Sequence, residues 1–310
     1  MFFHYIYRFG EIYSIKTINF PTLSTWGRIG VGAFFIISGF LMVPQKKNQN
    51  FSILKYILKK VLRFLPSYIL AITIIYIAVS IFTLPGREVT FFDYLLNIPL
   101  INGFIGVEYV DGAHWYLTYL VLFYLIVGIY IKFFYNKKLY FVILIIVKDL
   151  FYIFSYKYAF FSIFYNFLGQ NYLELIFLGI LLKDLLNSKM SLRFDFFCLI
   201  FCFLHYFYFS GKTCALSYLL FFVLFMFLFI NKKEMKSNIF CRFGDISFIL
   251  YLIHQNLGYI IILKLCSIYG SYSLWYVLIA FIIIICITIF IYEIFEKRIQ
   301  LEIKKLVDCL

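Results

Sequence analysis

Residues 30–68 read GVGAFFIISGFLMVPQKKNQNFSILKYILKKVLRFLPSY. An apolar run closes on a short polar connection crowded by Lys46, Lys47, Lys55, Lys59, Lys60 and Arg63, and Pro66 opens a second apolar run. A chain that crosses a bilayer and turns back on its cytoplasmic side has this pattern. Within the first run, Ser38 and Gly39 make a small-residue notch through which a neighbouring backbone can approach closely.

The rest of the chain agrees with that reading. Of 310 residues, 64% are hydrophobic, 24% aromatic and only 14% charged, with a mean hydropathy of +0.94. An ordinary soluble domain is about half apolar, so that class is excluded. The formal charge of +13 would suit a nucleic-acid binder. Topology accounts for it instead, because 20 of the 28 Lys and Arg fall in alternate loops, and no nucleic-acid partner is expected. The seven cysteines are scattered without paired ligand spacing and read as small apolar residues, with no metal expected.

Hydropathy places about nine complete spans, at about residues 26–43, 64–84, 114–134, 139–154, 164–182, 194–209, 214–230, 246–263 and 273–292. Before them, MFFHYIYRFG reads as the outer half of a spanning helix, since about nine apolar residues cannot cross a core that needs about twenty. The fold expected is all-α, a polytopic bundle forming one domain over residues 1–310. Positive-inside bias puts the tail after Tyr292 in the cytoplasm and Met1 outside.

Polar groups at membrane depth face the bundle interior or a wet cavity, and four places qualify. His4 lies in the N-terminal segment, one turn before Arg8. His114 and Thr118 share a helix face beside Trp115. Asn166, Gln170 and Glu174 recur every four residues as a stripe, which suits an interhelical hydrogen-bond seam as well as a sugar site. Ser247, Tyr251 and His254 follow at i, i+4 and i+7 and face one way, with Asp245 near the cytoplasmic end.

In order, these segments resemble the acyltransferase 3 family of integral-membrane enzymes that acylate surface glycans. Gly30, Val31, Phe34, Phe35, Ser38, Gly39 and Phe40 match its Gly-Val-x-x-Phe-Phe-x-x-Ser-Gly-Phe helix, and Lys60, Arg63, Pro66 and Tyr68 its basic Arg-x-x-Arg-x-x-Pro-x-Tyr segment. Asp111, Gly112, Trp115, Leu117, Phe123 and Tyr124 match a third segment, in which Leu120 stands where the family has Glu. Residues 244–259, GDISFILYLIHQNLGY, match a fourth, with Phe248 replacing one family Tyr, and Phe295–Lys297 approach a last mark. HYIYRFG is similar to the segment around the family's catalytic His; the Arg eleven positions earlier would precede Met1, so the chain reads as starting within that helix.

The resemblance implies transfer of an acyl group, most often acetyl, from acetyl-CoA or another acyl-CoA to a sugar hydroxyl of lipopolysaccharide, capsule or a lipid-linked glycan. It implies CoA thioester as co-substrate and no bound cofactor, in the lipid of a bacterial plasma membrane. His4 is then the base, and His254 a second catalytic group that orients substrate. Lys60 and Arg63 are placed to pair with CoA phosphates. Trp115, Tyr251 and Glu174 are the expected substrate contacts. A glycan polymerase or ligase would carry several Arg in a long outer loop, whereas the stretch from Pro85 to Ala113 has Arg87 alone. Leu120 favours an exporter without catalysis, and the absent Arg favours an inactive remnant.

Overall fold

The computed structural model describes residues 1–15, 17, 22–44, 49–187, 192–230 and 238–309. Among the basic residues counted above, Lys16, Lys46, Lys47, Lys189, Lys232, Lys233 and Lys236 lie outside these. The described residues form helices and no strands. A π-helical turn (Phe3–Arg8) leads into α1 (Phe9–Tyr13), followed by α2 (Thr22–Met42), α3 (Ile53–Leu62), α4 (Leu65–Phe82), α5 (Phe91–Asn97), α6 (Asn102–Ile105) and α7 (Trp115–Phe133). Then come α8 (Leu139–Ser155), α9 (Phe160–Phe167), α10 (Leu173–Leu186), α11 (Leu192–Ser210), α12 (Lys212–Ile230), α13 (Asn238–Tyr269), α14 (Leu274–Ile291) and α15 (Lys297–Cys309).

Seven of the described helices are long and apolar enough to cross a membrane. They correspond to α2, α4, α7, α11, α12, α13 and α14. The two further spans expected from hydropathy take other forms. That at 139–154 is α8, 17 residues with Lys148 and Asp149 inside it. The one expected at 164–182 is not continuous: α9 stops at Phe167, Gly169 turns left-handed at φ +87°, and α10 restarts at Leu173. A left-handed residue cannot continue a right-handed helix, so the stripe through Asn166, Gln170 and Glu174 is split among α9, a 3₁₀ turn (Gln170–Tyr172) and α10. Gln170 Nε2 donates to Asn166 Oδ1 at 2.8 Å, and Glu174 opens the new helix. Large apolar side chains such as Trp26, Leu204, Leu220 and Trp275 are two-thirds or so exposed, the inverse of a soluble surface and suited to lipid.

The chain divides into two compact units with interleaved segments. The first takes residues 1–24, 58–118 and 236–310, and α13 is its axis, packed against α4, α14, the N-terminal turn and the 3₁₀ turn Gly112–His114. Ser67 of α4 donates to Glu296, a carboxylate left buried where α14 passes through a π-helical stretch (Tyr292–Glu296) into α15. Gln300 Nε2 then reaches the Arg63 carbonyl at 2.7 Å and Glu296 Oε1 at 2.8 Å, tying the basic segment to the last helix.

The second unit takes residues 25–57 and 119–235. Two of its helices, α2 and α10, cross in close contact, where Gly39 lies on the backbone of Ile176 and Gly179 on that of Ile36, Gly39 and Phe40. The notch read in the sequence therefore does admit a neighbouring backbone. Elsewhere Lys138, at the start of α8, is buried between Asp184 of α10 at 3.1 Å and Asp195 of α11 at 2.7 Å.

At the crossing there is no flexible side chain to move aside, only main chain. Gly39→Ala should therefore destabilise the protein by about 1–3 kcal/mol, the ordinary cost of overpacking. Gly30→Ala, with open space around that glycine, should not. Thermal unfolding of the detergent-solubilised protein would distinguish the two, and equal melting temperatures would show that the crossing is not formed.

Candidate active site

The first unit gathers polar groups around the middle of α13. Asp111 is fully buried and caps the 3₁₀ turn, its Oδ1 accepting from Ala113 N at 2.9 Å. Its Oδ2 accepts from Asn256 N, also at 2.9 Å. His114 Nε2 donates to the Leu252 carbonyl at 2.8 Å. Leu252 and Asn256 are the acceptor and donor of a single i, i+4 pair of α13, so two side chains from one turn address both ends of one helical hydrogen bond. Asn256 Nδ2 returns to the Val110 carbonyl at 2.9 Å, and the Tyr251 hydroxyl donates to the Ala113 carbonyl.

The loop that carries Asp111 is held from its other side by Asn97. The Asn97 amide donates to the carbonyls of Asp93 and Glu108, and its oxygen accepts from Asn102 Nδ2 and Val110 N. Tyr68 of α4 donates to the Asn97 carbonyl at 3.0 Å. Such density of bonds is what a polar loop needs if it is to sit against apolar helices, since each unpaired group would cost a kcal/mol or more, about 1–3.

Against this fixed turn the structure brings His4 and His254 together. Their rings meet edge to face with centroids 5.0 Å apart. His254 Nδ1 contacts its own helix at the Tyr251 carbonyl, 2.8 Å away, so in the neutral ring Nδ1 carries the proton and Nε2 a lone pair. His4 Nδ1 is buried and has no hydrogen-bond partner among the described residues. The N-terminal turn is positioned by Tyr5, whose hydroxyl donates to the His254 carbonyl at 2.5 Å and whose ring lies against Gly258. Tyr272 in turn donates to the Tyr5 carbonyl at 3.1 Å. Gly258 is bare because any side chain there would meet the Tyr5 ring.

Tyr251, expected to contact substrate, is engaged with the Ala113 carbonyl and stacks edge-on with Tyr116 at 5.9 Å. Trp115 is the half-buried first residue of α7. Lys60 is half-buried at the end of α3, and Arg63 is exposed beyond it. Ser247 is exposed and turns back to the Gly244 carbonyl, so it does not join Tyr251 and His254. Asp245 is exposed too.

Glu174 belongs to the second unit and joins a buried ionic cluster there. Lys148 of α8, with no exposure, pairs with Glu174 and lies 3.2 Å from Asp149 Oδ1. His205 of α11 contacts Asp149 Oδ2 at 2.6 Å, and its other nitrogen is 3.0 Å from Glu174 without hydrogen-bond geometry. The donor atoms of Asp149, Glu174 and His205 lie within 4.8 Å of one another, a spacing a metal ion can use. Lys148 already places a positive charge on the same two carboxylates, which argues for an internal ion pair. Hydropathy alone missed Lys148 and His205, because a Lys-Asp pair in an apolar run does not say which helices will answer it.

These features define a polytopic helical protein with paired imidazoles in an apolar interior. The chain belongs to the acyltransferase 3 family, whose acyltransferase domain matches residues 1–293. It is an integral-membrane acyltransferase of the kind that transfers groups other than amino-acyl groups. No curated protein and no solved structure is measurably similar to it.

Glu174→Ala would leave the Lys148 ammonium buried without its main counter-charge, a loss of about 3–5 kcal/mol. Removing both charges, in Lys148→Met with Glu174→Leu, should recover most of it. Unfolding curves of the two variants check this; a single variant as stable as wild type would show that the pair is not formed.

Proposed function

We propose that this protein moves an acyl group, preferentially acetyl, from acyl-CoA to a sugar hydroxyl of a surface glycan such as lipopolysaccharide, capsule or their lipid-linked precursors. It does so in a bacterial plasma membrane, with its C-terminus in the cytoplasm, an orientation supported by the distribution of Lys and Arg. The observation that carries the reading is the buried, unpartnered Nδ1 of His4 beside His254, in a chain of this family.

A sugar hydroxyl is a poor nucleophile at neutral pH. His4 takes its proton as the oxygen attacks the thioester carbonyl, and returns a proton to the departing thiolate. General-base assistance of this kind contributes about 10²–10⁴-fold. His254, its tautomer set by the Tyr251 carbonyl, orients the acceptor through Nε2. Lys60 and Arg63 meet the phosphates of CoA, and Trp115 lines the acceptor path. Glu174 serves the second unit as the counter-charge of Lys148.

A second reading, export without chemistry, is favoured by one observation: buried Leu120 stands where the resembled family carries Glu. It predicts flux and no covalent product. The two readings part in cells. Deleting the gene should remove O-acyl signals from the proton NMR spectrum of the surface glycan, and the 310-residue chain should restore them. His4→Ala and His254→Ala should accumulate in the membrane yet restore at most about one hundredth of the acylation rate. Full restoration by His4→Ala would eliminate it as the base, and no glycan difference on deletion would remove the transfer reading.

A further inference from the structure

Two cations lie near the N-terminal turn, and they differ in one respect. Arg8 is paired with Glu11 at 3.1 Å, both half-exposed. Arg87, the single Arg between Pro85 and Ala113, has no ion pair and no side-chain hydrogen bond among the described residues, although its charge acts on His4, Tyr13 and Tyr259. The exposed Glu88 carboxylate takes the Arg87 backbone N–H at 3.1 Å. The buried Asp111 carboxylate is occupied by two backbone N–H groups.

Gln255 is 3% exposed, and its side-chain amide likewise makes no hydrogen bond among the described residues. Both groups converge on Gly112. A methyl group there would lie 2.9 Å from Gln255 Nε2 and 3.0 Å from Arg87 Nη1. The glycine's bare face thus lets one charged and one neutral N–H donor close together beside the residue that follows Asp111. Gln255 adjoins His254 in sequence, so the imidazole and the amide belong to the same stretch of α13. An amide donor that the fold leaves without an acceptor is available to a ligand.

We infer that Arg87 and Gln255 form a site for the acyl carbonyl oxygen and hold the negative charge that develops on it. The inference deepens the transfer reading above and takes its reaction from it. As the sugar oxygen forms its bond to the carbonyl carbon, its proton passes to His4 and the carbonyl π pair moves onto oxygen, where the two donors bind it. When the C=O bond re-forms, the carbon–sulfur bond breaks, and CoA leaves as a thiolate that takes the proton from His4. Donors already aimed at such an oxygen are worth about 10²–10³-fold in kcat each.

The site can be tested without the reaction, using acetate as a probe for the same carboxyl-type oxygen. The full chain in lipid nanodiscs should show saturation transfer to acetate in proton NMR. Arg87→Met, Gln255→Leu and Gly112→Ala, each with an unchanged melting temperature, should weaken that binding at least about tenfold. The same variants should lower glycan acylation in complemented cells by about 10²–10³-fold. Acetate that does not bind the folded wild-type chain, or binds all three variants equally, would overturn the site. Acylation that persists in Arg87→Met and Gln255→Leu would overturn it while leaving the transfer reading intact. Acetate binding that depends on these residues, in a chain that acylates nothing, would support the site and overturn the transfer reading instead.

Discussion

A carboxylate in an apolar interior must have its lone pairs met, and in the first unit Asp111 carries that demand. Its two oxygens are met by backbone N–H groups from two places, the turn that follows it and the middle of α13. The first bond shapes the 3₁₀ turn; the second fastens that turn to the helix. His114 completes the fastening by taking the carbonyl one helical turn back from Asn256. The loop between α4 and α7 is consequently bound to α13 by backbone-directed bonds rather than by side-chain packing alone. That in turn sets where His254 and Gln255 point, because they lie between the two anchored positions, Leu252 and Asn256.

The second unit answers the same absence of water differently. Apolar helices gain little from burying apolar surface when lipid is the alternative, so close contact and charge must hold them. At the α2–α10 crossing the contact is main chain to main chain, possible because Gly39 and Gly179 face each other. Along α8, α10 and α11 the hold is ionic at two levels. Lys138 answers the end of α10 and the start of α11, and Lys148 with His205 answers the opposite ends. The alternating direction of the three helices follows from those pairings.

Much of this was legible in the sequence, for identifiable reasons. Hydropathy and the basic connection at Lys55–Arg63 declare spanning helices, and Ser38-Gly39 declares a close crossing, because both signals are local. The order of motifs from His4 to Glu296 declares the family. The i, i+3 relation of Tyr251 and His254 survives because α13 is continuous there. The stripe Asn166-Gln170-Glu174 failed because a periodicity argument assumes an unbroken helix, and Gly169 adopts the one conformation that breaks it. Lys148 is buried in α8, and composition cannot show that Glu174, 26 positions later, will neutralise it. Arg87 and Gln255 escaped for a related reason, since their convergence depends on a loop folding over Gly112.

The pattern of engaged and unengaged groups narrows the chemistry further. A proton acceptor for a sugar hydroxyl needs a lone pair that the fold has not already used. Asp111 is a buried carboxylate bonded to the α13 turn that follows His254, yet both its oxygens hold the loop, and drawing on either would loosen α13. Glu296 is committed to Ser67 and Gln300 at the far end of α14. His114 presents a bare, buried Nδ1, but its other nitrogen is part of the clamp on Leu252, so the ring is fixed as a structural member. His4 differs from all of these. Its backbone is secured by neighbours, through Tyr5 and Tyr272, while its own Nδ1 is unused. A group held in place by its neighbours and free at its reactive atom is what general-base catalysis requires, and this favours the imidazole over any carboxylate in the unit.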